Sequence, residues 1–388
     1  MKSAWIVTQF LRALVHRRRD SAPGRDVVNS ILVVELTRLG DVLSMLPAVR
    51  LLVSRYPAAT IHLFVDEAYA SLLRGLDLEI VVHGIVSSAS FTGLMLAVWQ
   101  ARRLGVCLSC SMSPAKRNVV VTLSSGSRFK VGYLRSVDSL AHYHARTHVE
   151  ARGFAIKEES FSGGDSPENI EERGLRVCTG LGLSPPPAAD LRQMLRPETV
   201  TALGTKLGVQ GKLPLGEYVV VHPFSGWSYR SWSPGNFFTL AHLLNSRLGV
   251  DVVFLFSVQE STEWEKSLKH WGGESRPRVF ASDDLLESAV LLEGAALFVG
   301  NDSGPLHLAA CLGVPRIGLF GPSSPSLTAP RAGNGTYLYK PVECSPCEQV
   351  KCVRPDSPCI NLITPDEAYG AAVKALQSHR PTLSAAHG

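Results

Sequence analysis

The chain predicts an α/β fold built twice, each half a parallel sheet wrapped by helices. Three observations carry this. Apolar runs of strand length alternate with stretches whose apolar residues recur at helical spacing, an order that builds parallel sheets. The alternation occurs once after Ile31 and again after Tyr218, and the polar segment between them contains Ser184-Pro185-Pro186-Pro187. With 388 residues, 45% of them hydrophobic and 19% charged, the chain is long enough for two cores and too apolar for disorder. The expected limits are a basic extension over 1–28, a first domain over 29–200, a second over 201–365, and a terminal helix and tail over 366–388.

In the first half, Ile31 to Leu36 is an apolar strand interrupted only by Glu35. Thr37-Arg38-Leu39-Gly40 turns, and Val42, Leu43, Leu46, Val49, Leu52 and Val53 then mark one helix from Asp41 to Arg55. Thr60 to Val65 is the next strand. Ile80 to Ala101 carries no formal charge, but His83, Ser87, Ser88, Ser90 and Thr92 interrupt it, so it predicts a strand and a buried helix rather than a membrane span. A basic scatter follows at Lys116, Arg117, Arg128, Lys130 and Arg135, and cations of this kind suit either phosphates or a solvated surface. His142, His144 and His148 lack a carboxylate at ligand spacing and predict polar helix surface.

The second half opens with a strand, Tyr218 to Val221, that ends in His222-Pro223 and leads through FSGWSYRSWSP to a helix over Gly235–Arg247. Asp251 to Ser257 is another strand, and Asp283 to Leu292 a helix. Leu297 to Gly300 is a buried strand, Asn301-Asp302-Ser303-Gly304 a polar turn, and Pro305 suits the first position of a helix. Gly313 ends that helix, and Arg316 to Phe320 is a short strand before Gly321-Pro322. Such a turn presents backbone N–H groups, a hydroxyl and His307 at a positive helix end, which suits a phosphate.

The net charge of +5 permits an anionic ligand or membrane surface but is too weak to argue for nucleic acid, and no arginine-rich tract with interleaved aromatics occurs. Residues 1–26 place Trp5, Ile6, Val7, Phe10, Leu11, Leu14 and Val15 before His16-Arg17-Arg18-Arg19. They read equally as a helix lying on an anionic membrane or as a frayed basic extension, and the basic run after the apolar part does not make a secretory signal. Near the C-terminus, Cys344, Cys347, Cys352 and Cys359 form a CxxC with two further cysteines at spacings tighter than paired zinc knuckles. A structural zinc and disulfide pairing are both open there. Cys107, Cys110, Cys178 and Cys311 read as small buried hydrophobes.

Three patches together, LTRLGDVLSMLPAVRLL, the loop after His222-Pro223, and DSGPLHLAA with LGVPRIGLFGP, resemble the ADP-heptose:lipopolysaccharide heptosyltransferases, glycosyltransferase family nine. The resemblance implies a GT-B architecture, two doubly wound Rossmann-like domains facing a central cleft. It implies inverting, metal-independent transfer of heptose from ADP-heptose to a lipid-linked lipopolysaccharide core, in the cytoplasm at the inner face of the membrane. Asp41 then matches the catalytic base. Ser225, Arg230, either Gln259 or Glu260, Asp302, Ser303, Gly304, Pro305 and His307 would meet the nucleotide-diphosphate sugar, and Arg38, Lys116, Arg117, Arg128 and Lys130 the phosphorylated glycolipid. No Asp-x-Asp occurs in the chain, in keeping with a helix end rather than a metal at the diphosphate. Glu35 stands where the family usually has a basic residue, and Phe224 where a small one is common. Another nucleotide sugar and glycan within the family is therefore a rival expectation, and a GT-B epimerase or binding module is another.

Overall fold

In a computed structural model of the chain, residues 28–113, 115–134, 155–157, 177–178, 181, 183, 195–207, 217–272, 276–331, 333–347, 351–356 and 358–383 are described. The expectations for residues 1–26, for Arg135, for His142, His144 and His148, and for the segment around Pro185-Pro186-Pro187 lie outside them. The chain divides into two compact units, Met1–Ala189 and Asp190–Gly388.

The first unit runs β1 (Ser30–Glu35), α1 (Leu39–Ser44), α2 (Leu46–Arg55), β2 (Thr60–Asp66), α3 (Glu67–Arg74), β3 (Ile80–Ile85), α4 (Phe91–Leu104), β4 (Leu108–Ser111), α5 (Lys116–Ser124), β5 (Phe129–Leu134) and β6 (Ala155–Lys157). Its strands lie in the order β3-β2-β1-β4-β5-β6, and each pair is parallel. This is a doubly wound sheet whose order reverses between β1 and β4, and the crevice beyond the strand ends at that point is where such sheets bind ligands.

Two local expectations change. The single helix expected over Asp41–Arg55 is two, because Pro47 near the start of α2 cannot donate to the preceding turn and Met45 becomes the joint. The helix expected to be buried, α4, is buried on one face only. Ala97, Val98 and Ala101 join Leu32, Val34 and Phe64 in the core. Phe91 and Trp99 remain 62% and 53% exposed on the other face. Ser90 caps this helix by accepting the Gly93 N–H at 3.0 Å, and Gly105, at φ +60°, ends it.

The second unit runs α6 (Pro197–Leu207), β7 (Tyr218–His222), α7 (Pro234–Leu248), β8 (Asp251–Phe256), α8 (Ser261–Ser267), β9 (Arg278–Ala281), α9 (Leu285–Glu293), β10 (Leu297–Asn301), α10 (Gly304–Cys311), β11 (Arg316–Phe320), α11 (Pro325–Thr328), β12 (Gly335–Tyr339) and α12 (Pro365–Leu383). The expected domain limit at residue 200 falls within α6, which packs against α9. The sheet order is β12-β11-β10-β7-β8-β9, again all parallel, with the reversal between β7 and β10.

The terminal helix is part of this unit's core. α12 packs on α7, burying Ala368 and Ala372 beside Phe237, Phe238 and Leu244. Thr364 and Glu367 close a capping box at its start: Glu367 Oε2 accepts the Thr364 N–H at 2.9 Å, and Thr364 Oγ1 accepts the Glu367 N–H at 3.2 Å. Trp232 is fully buried, and its indole N–H donates to the Ile363 carbonyl at 2.9 Å, tying the entry of α7 to the entry of α12.

Candidate active site

The reversal between β7 and β10 holds most of the residues expected to meet a diphosphate. β10 ends at Asn301, and α10 begins three residues later with Ser303 as its extended N-cap and Pro305 in its first turn. The early N–H groups of a helix point outward unpartnered within the helix, and the aligned peptide dipoles make that end positive. His307 lies in the same turn and is buried.

Asn301, fully buried, fastens the neighbouring loop to this end. Its Oδ1 accepts the Trp232 N–H at 2.9 Å, and its Nδ2 donates to the Pro223 carbonyl at 3.0 Å. The loop carries Arg230, whose Nη1 lies 3.9 Å from Asp302 Oδ2 and donates to the Asp302 carbonyl at 3.4 Å. Ser323 Oγ also donates to Asp302 Oδ2, and Thr328 Oγ1 does so at 3.3 Å. The Asp302 carboxylate is thus taken up by one cation and two hydroxyls. It sets the position of Arg230 beside the head of α10.

Two expected donor contacts are turned elsewhere. Ser225 Oγ donates to the Trp227 carbonyl at 2.8 Å and is bonded to Ser231 Oγ at 3.0 Å. Glu260 Oε2 accepts the Ser257 N–H and hydroxyl, each at 2.8 Å, and so closes the end of β8. Buried His222 is bonded through Nδ1 to the Leu255 carbonyl at 2.9 Å, and burial holds its ring below the ordinary imidazole value against the raising field of Glu260.

Asp41 lies in the first turn of α1, just beyond β1 at the reversal of the first sheet. Its Oδ2 accepts the Thr37 hydroxyl at 2.9 Å and the Arg38 N–H at 3.4 Å. The Arg38 side chain is exposed, and Lys116 and Arg117 open α5 at the same edge, beyond β4. Cations at a helix start oppose the dipole. The fields of Arg117 and Asp41 both reach Tyr69 on α3.

Arg128 and Lys130 lie elsewhere. The register pairs Phe129 with Leu108 and Leu108 with Ile31, which puts them at the start of the strands, the edge opposite Asp41. Arg128 covers the Phe129 ring at 5.1 Å, and Lys130 donates to the Ser127 carbonyl. Burial and then the field of Arg102 push the Lys130 ammonium down to about 8.

Sequence reading missed Asn301 as a fastener, and it treated Glu35 only as an oddity. Glu35 is 1% exposed, bonded to Thr37 Oγ1 and to Asn118 Nδ2, the latter at 2.8 Å. A charged residue inside an otherwise apolar strand was the available signal. Its partner Asn118, 83 residues away, gave none.

In the tail, none of the four cysteines forms a disulfide. Burial raises the Cys359 thiol, as do the fields of Cys344, Cys347 and Cys352, so the four share one neighbourhood of soft donors. Among the described residues no three ligand side chains already surround a common point as for a bound ion. The segment is joined to the loop after β11 by the Cys347 N–H, which donates to the Pro322 carbonyl at 2.9 Å. Gly321 is in the same place, where a Cβ would come within 2.6 Å of Ile360.

Two doubly wound parallel sheets, each with its polar loops gathered at its reversal point, define a GT-B protein. Residues 187–356 match the family described as "Glycosyltransferase family 9 (heptosyltransferase)". Lipopolysaccharide heptosyltransferase 1 of Pseudomonas aeruginosa is 29% identical over 139 residues, 36% of this chain and 38% of that protein. The first curated relatives are spanned by the chain over only 26% and 38% of their own lengths. Among solved structures, E. coli ADP-heptose lps heptosyltransferase II has a TM-score of 0.68 at 18% identity, covering 90% of this chain and 99% of that one. The E. coli heptosyltransferase WaaC with ADP-2-deoxy-2-fluoro heptose has a TM-score of 0.61 at 17% identity, with coverages of 89% and 99%.

Proposed function

We propose that this chain is an inverting glycosyltransferase that moves a heptose from ADP-heptose to a phosphorylated lipopolysaccharide-core acceptor without a catalytic metal. The observation that carries it is Arg230, held by Asp302 beside the N-terminus of α10. As the sugar leaves, negative charge grows on the departing diphosphate, and preorganised N–H groups and a fixed guanidinium stabilise that charge where it develops. Ser303, Gly304, Pro305 and His307 shape this end. Ser225 and Glu260 support its loops in the structure described above, and they contact the donor only after turning.

The other unit supplies the base. Asp41 takes the proton of the acceptor hydroxyl as that oxygen bonds to the anomeric carbon, and the electron pair of the broken bond leaves on the phosphate oxygen. Arg38, Lys116 and Arg117 receive the acceptor's phosphates; Arg128 and Lys130, on the opposite edge, have no part in this reading.

A glycolipid acceptor places the protein in the cytoplasm at the membrane surface. The exposed Phe91, Leu96 and Trp99 of α4 support a peripheral contact, with Arg103 over the Trp99 ring at 4.6 Å. No described helix is long and apolar enough to cross a membrane. A second reading, the same chemistry with another nucleotide sugar, is favoured by Glu35 beside the base, where the family usually has a cation.

Asp41→Asn tests the assignment. Asparagine keeps an acceptor for the Thr37 hydroxyl and the Arg38 N–H but takes no proton. The variant should fold and bind ADP as the parent does and lose transfer by roughly 10²–10⁴-fold. Transfer at the parental rate would remove Asp41 as the base. A donor panel read by product formation separates ADP-heptose from other nucleotide sugars.

A further inference from the structure

Two carboxylates meet one hydroxyl at the end of β1. Thr37 Oγ1 is within hydrogen-bond reach of Glu35 Oε1 and lies 2.9 Å from Asp41 Oδ2. A threonine hydroxyl carries a single proton and can donate to only one of them. With both carboxylates ionised, one oxygen anion would face the hydroxyl's lone pairs inside the protein, which disfavours that state. The arrangement closes if one carboxyl carries a proton, and the surroundings say which. Glu35 is essentially unexposed, whereas Asp41 is partly open to solvent.

Asn118 reports on the orientation of the group. Its Oδ1 accepts the Leu36 N–H at 2.9 Å, which fixes its amide, so its Nδ2 must donate, to Glu35 Oε1 at 2.8 Å and to Ser113 Oγ at 2.9 Å.

We propose that Glu35 is a positioning residue that stands protonated beside Asp41. Its carboxyl donates to Thr37 Oγ1, the Thr37 hydroxyl donates to Asp41 Oδ2, and Oδ1 of Asp41 is left to take the acceptor's proton. This rests on the reading of Asp41 as the base. The Glu35 proton stays where it is through the reaction; only the acceptor proton moves, to Asp41. Burial, and then the field of Asp41, push the Glu35 carboxyl up to about 7, against the lowering hydrogen bonds of Thr37, Asn118 and Ser113. Among the described residues, Arg38 stands at the N-cap of α1 beside Asp41, and Tyr69 on α3 feels Asp41 together with Asp66 at the end of β2 and Arg117 on α5. Tyr69 is itself raised by burial and by Asp66.

Above neutrality Glu35 loses its proton, the single hydroxyl is contested, and Asp41 loses its fixed donor. The kcat/KM of the wild type should therefore fall along an alkaline limb centred near the Glu35 value of about 7. In Glu35→Gln the amide oxygen takes the place of Oε1, where it accepts from Asn118 and carries no charge at any pH, so the Thr37 hydroxyl goes to the charged Asp41; this variant should transfer heptose and lose that limb. Thr37→Val should lose about tenfold, the worth of one hydrogen bond to a charged group, together with the limb. Thr37→Ser should restore both.

The inference is overturned if Glu35→Gln keeps the limb, if the wild type shows none, or, should Glu35→Gln not fold, if Thr37→Val keeps it. Asp41→Asn read in parallel separates the two ideas. An inactive Asp41→Asn with an unchanged Glu35→Gln profile sinks this inference alone, while an active Asp41→Asn sinks the base and this inference with it.

Discussion

Arg230 and Asp302, 72 residues apart, form an ion pair whose side chains are 14% and 6% exposed, and two hydroxyls complete the shell of the carboxylate. Taking one partner of such a pair away strands the other charge at low dielectric, which is why truncation costs more than the pair contributes. The pair stands beside the end of β10, so its integrity should be read out in binding.

Arg230→Gln should therefore weaken ADP binding by roughly 10²-fold or more, the usual scale for truncating one member of a buried charge pair. Asp302→Asn should keep the Ser323 and Thr328 hydrogen bonds and lose less, since Arg230 then remains as a cation. Calorimetric titration with ADP measures both. Equal affinities for Arg230→Gln and wild type would detach this pair from the donor site.

Glu35 makes a separate prediction about stability. Its folded value of about 7 lies above the ordinary 4.5. The folded state thus binds the proton more tightly than the unfolded chain. The resulting stabilisation is fully present below about 4.5 and is lost as pH rises through about 7. Glu35→Gln does not titrate, so its stability should gain on that of wild type across this window, by at most on the order of 3 kcal/mol. Denaturant unfolding at several pH values tests it, and a difference that does not change with pH would contradict the assignment.

The cysteine segment can be tested by metal content. We propose that Cys344, Cys347, Cys352 and Cys359 hold a structural zinc, whose binding would draw the four thiolates together and brace the segment anchored at Pro322. Purified protein should then contain near-stoichiometric metal, lost in a Cys344→Ser/Cys347→Ser variant. A chelator should lower the melting temperature while transfer survives wherever the fold does. Metal-free protein with four titratable thiols would leave these cysteines as packing alone.

Much of the fold was legible because it is local. The apolar run before Thr37, the helical spacing from Val42 to Val53, and the Ser-Pro and glycine punctuation around α7 and α10 depend on neighbours in sequence. Asp41 and the head of α10 were legible for the same reason, since each is a strand end followed directly by a helix start.

Tertiary structure decided what lies beside those ends. Sheet order, not chain order, makes β1 the neighbour of β4 and so brings Asn118 to Glu35. The same kind of reversal brings Asn301 to the loop before Trp232 and Asp302 to Arg230. Strand direction decided the fate of the basic scatter. Lys116 and Arg117 follow β4 and reach the edge that holds Asp41, whereas Arg128 and Lys130 open β5 and fall on the other edge. Hydrophobic periodicity reports which face of an element is buried. The end of a sheet at which a charge stands depends on how strands far apart in sequence pair and which way they run, and that pairing leaves no mark on the residues next to the charge.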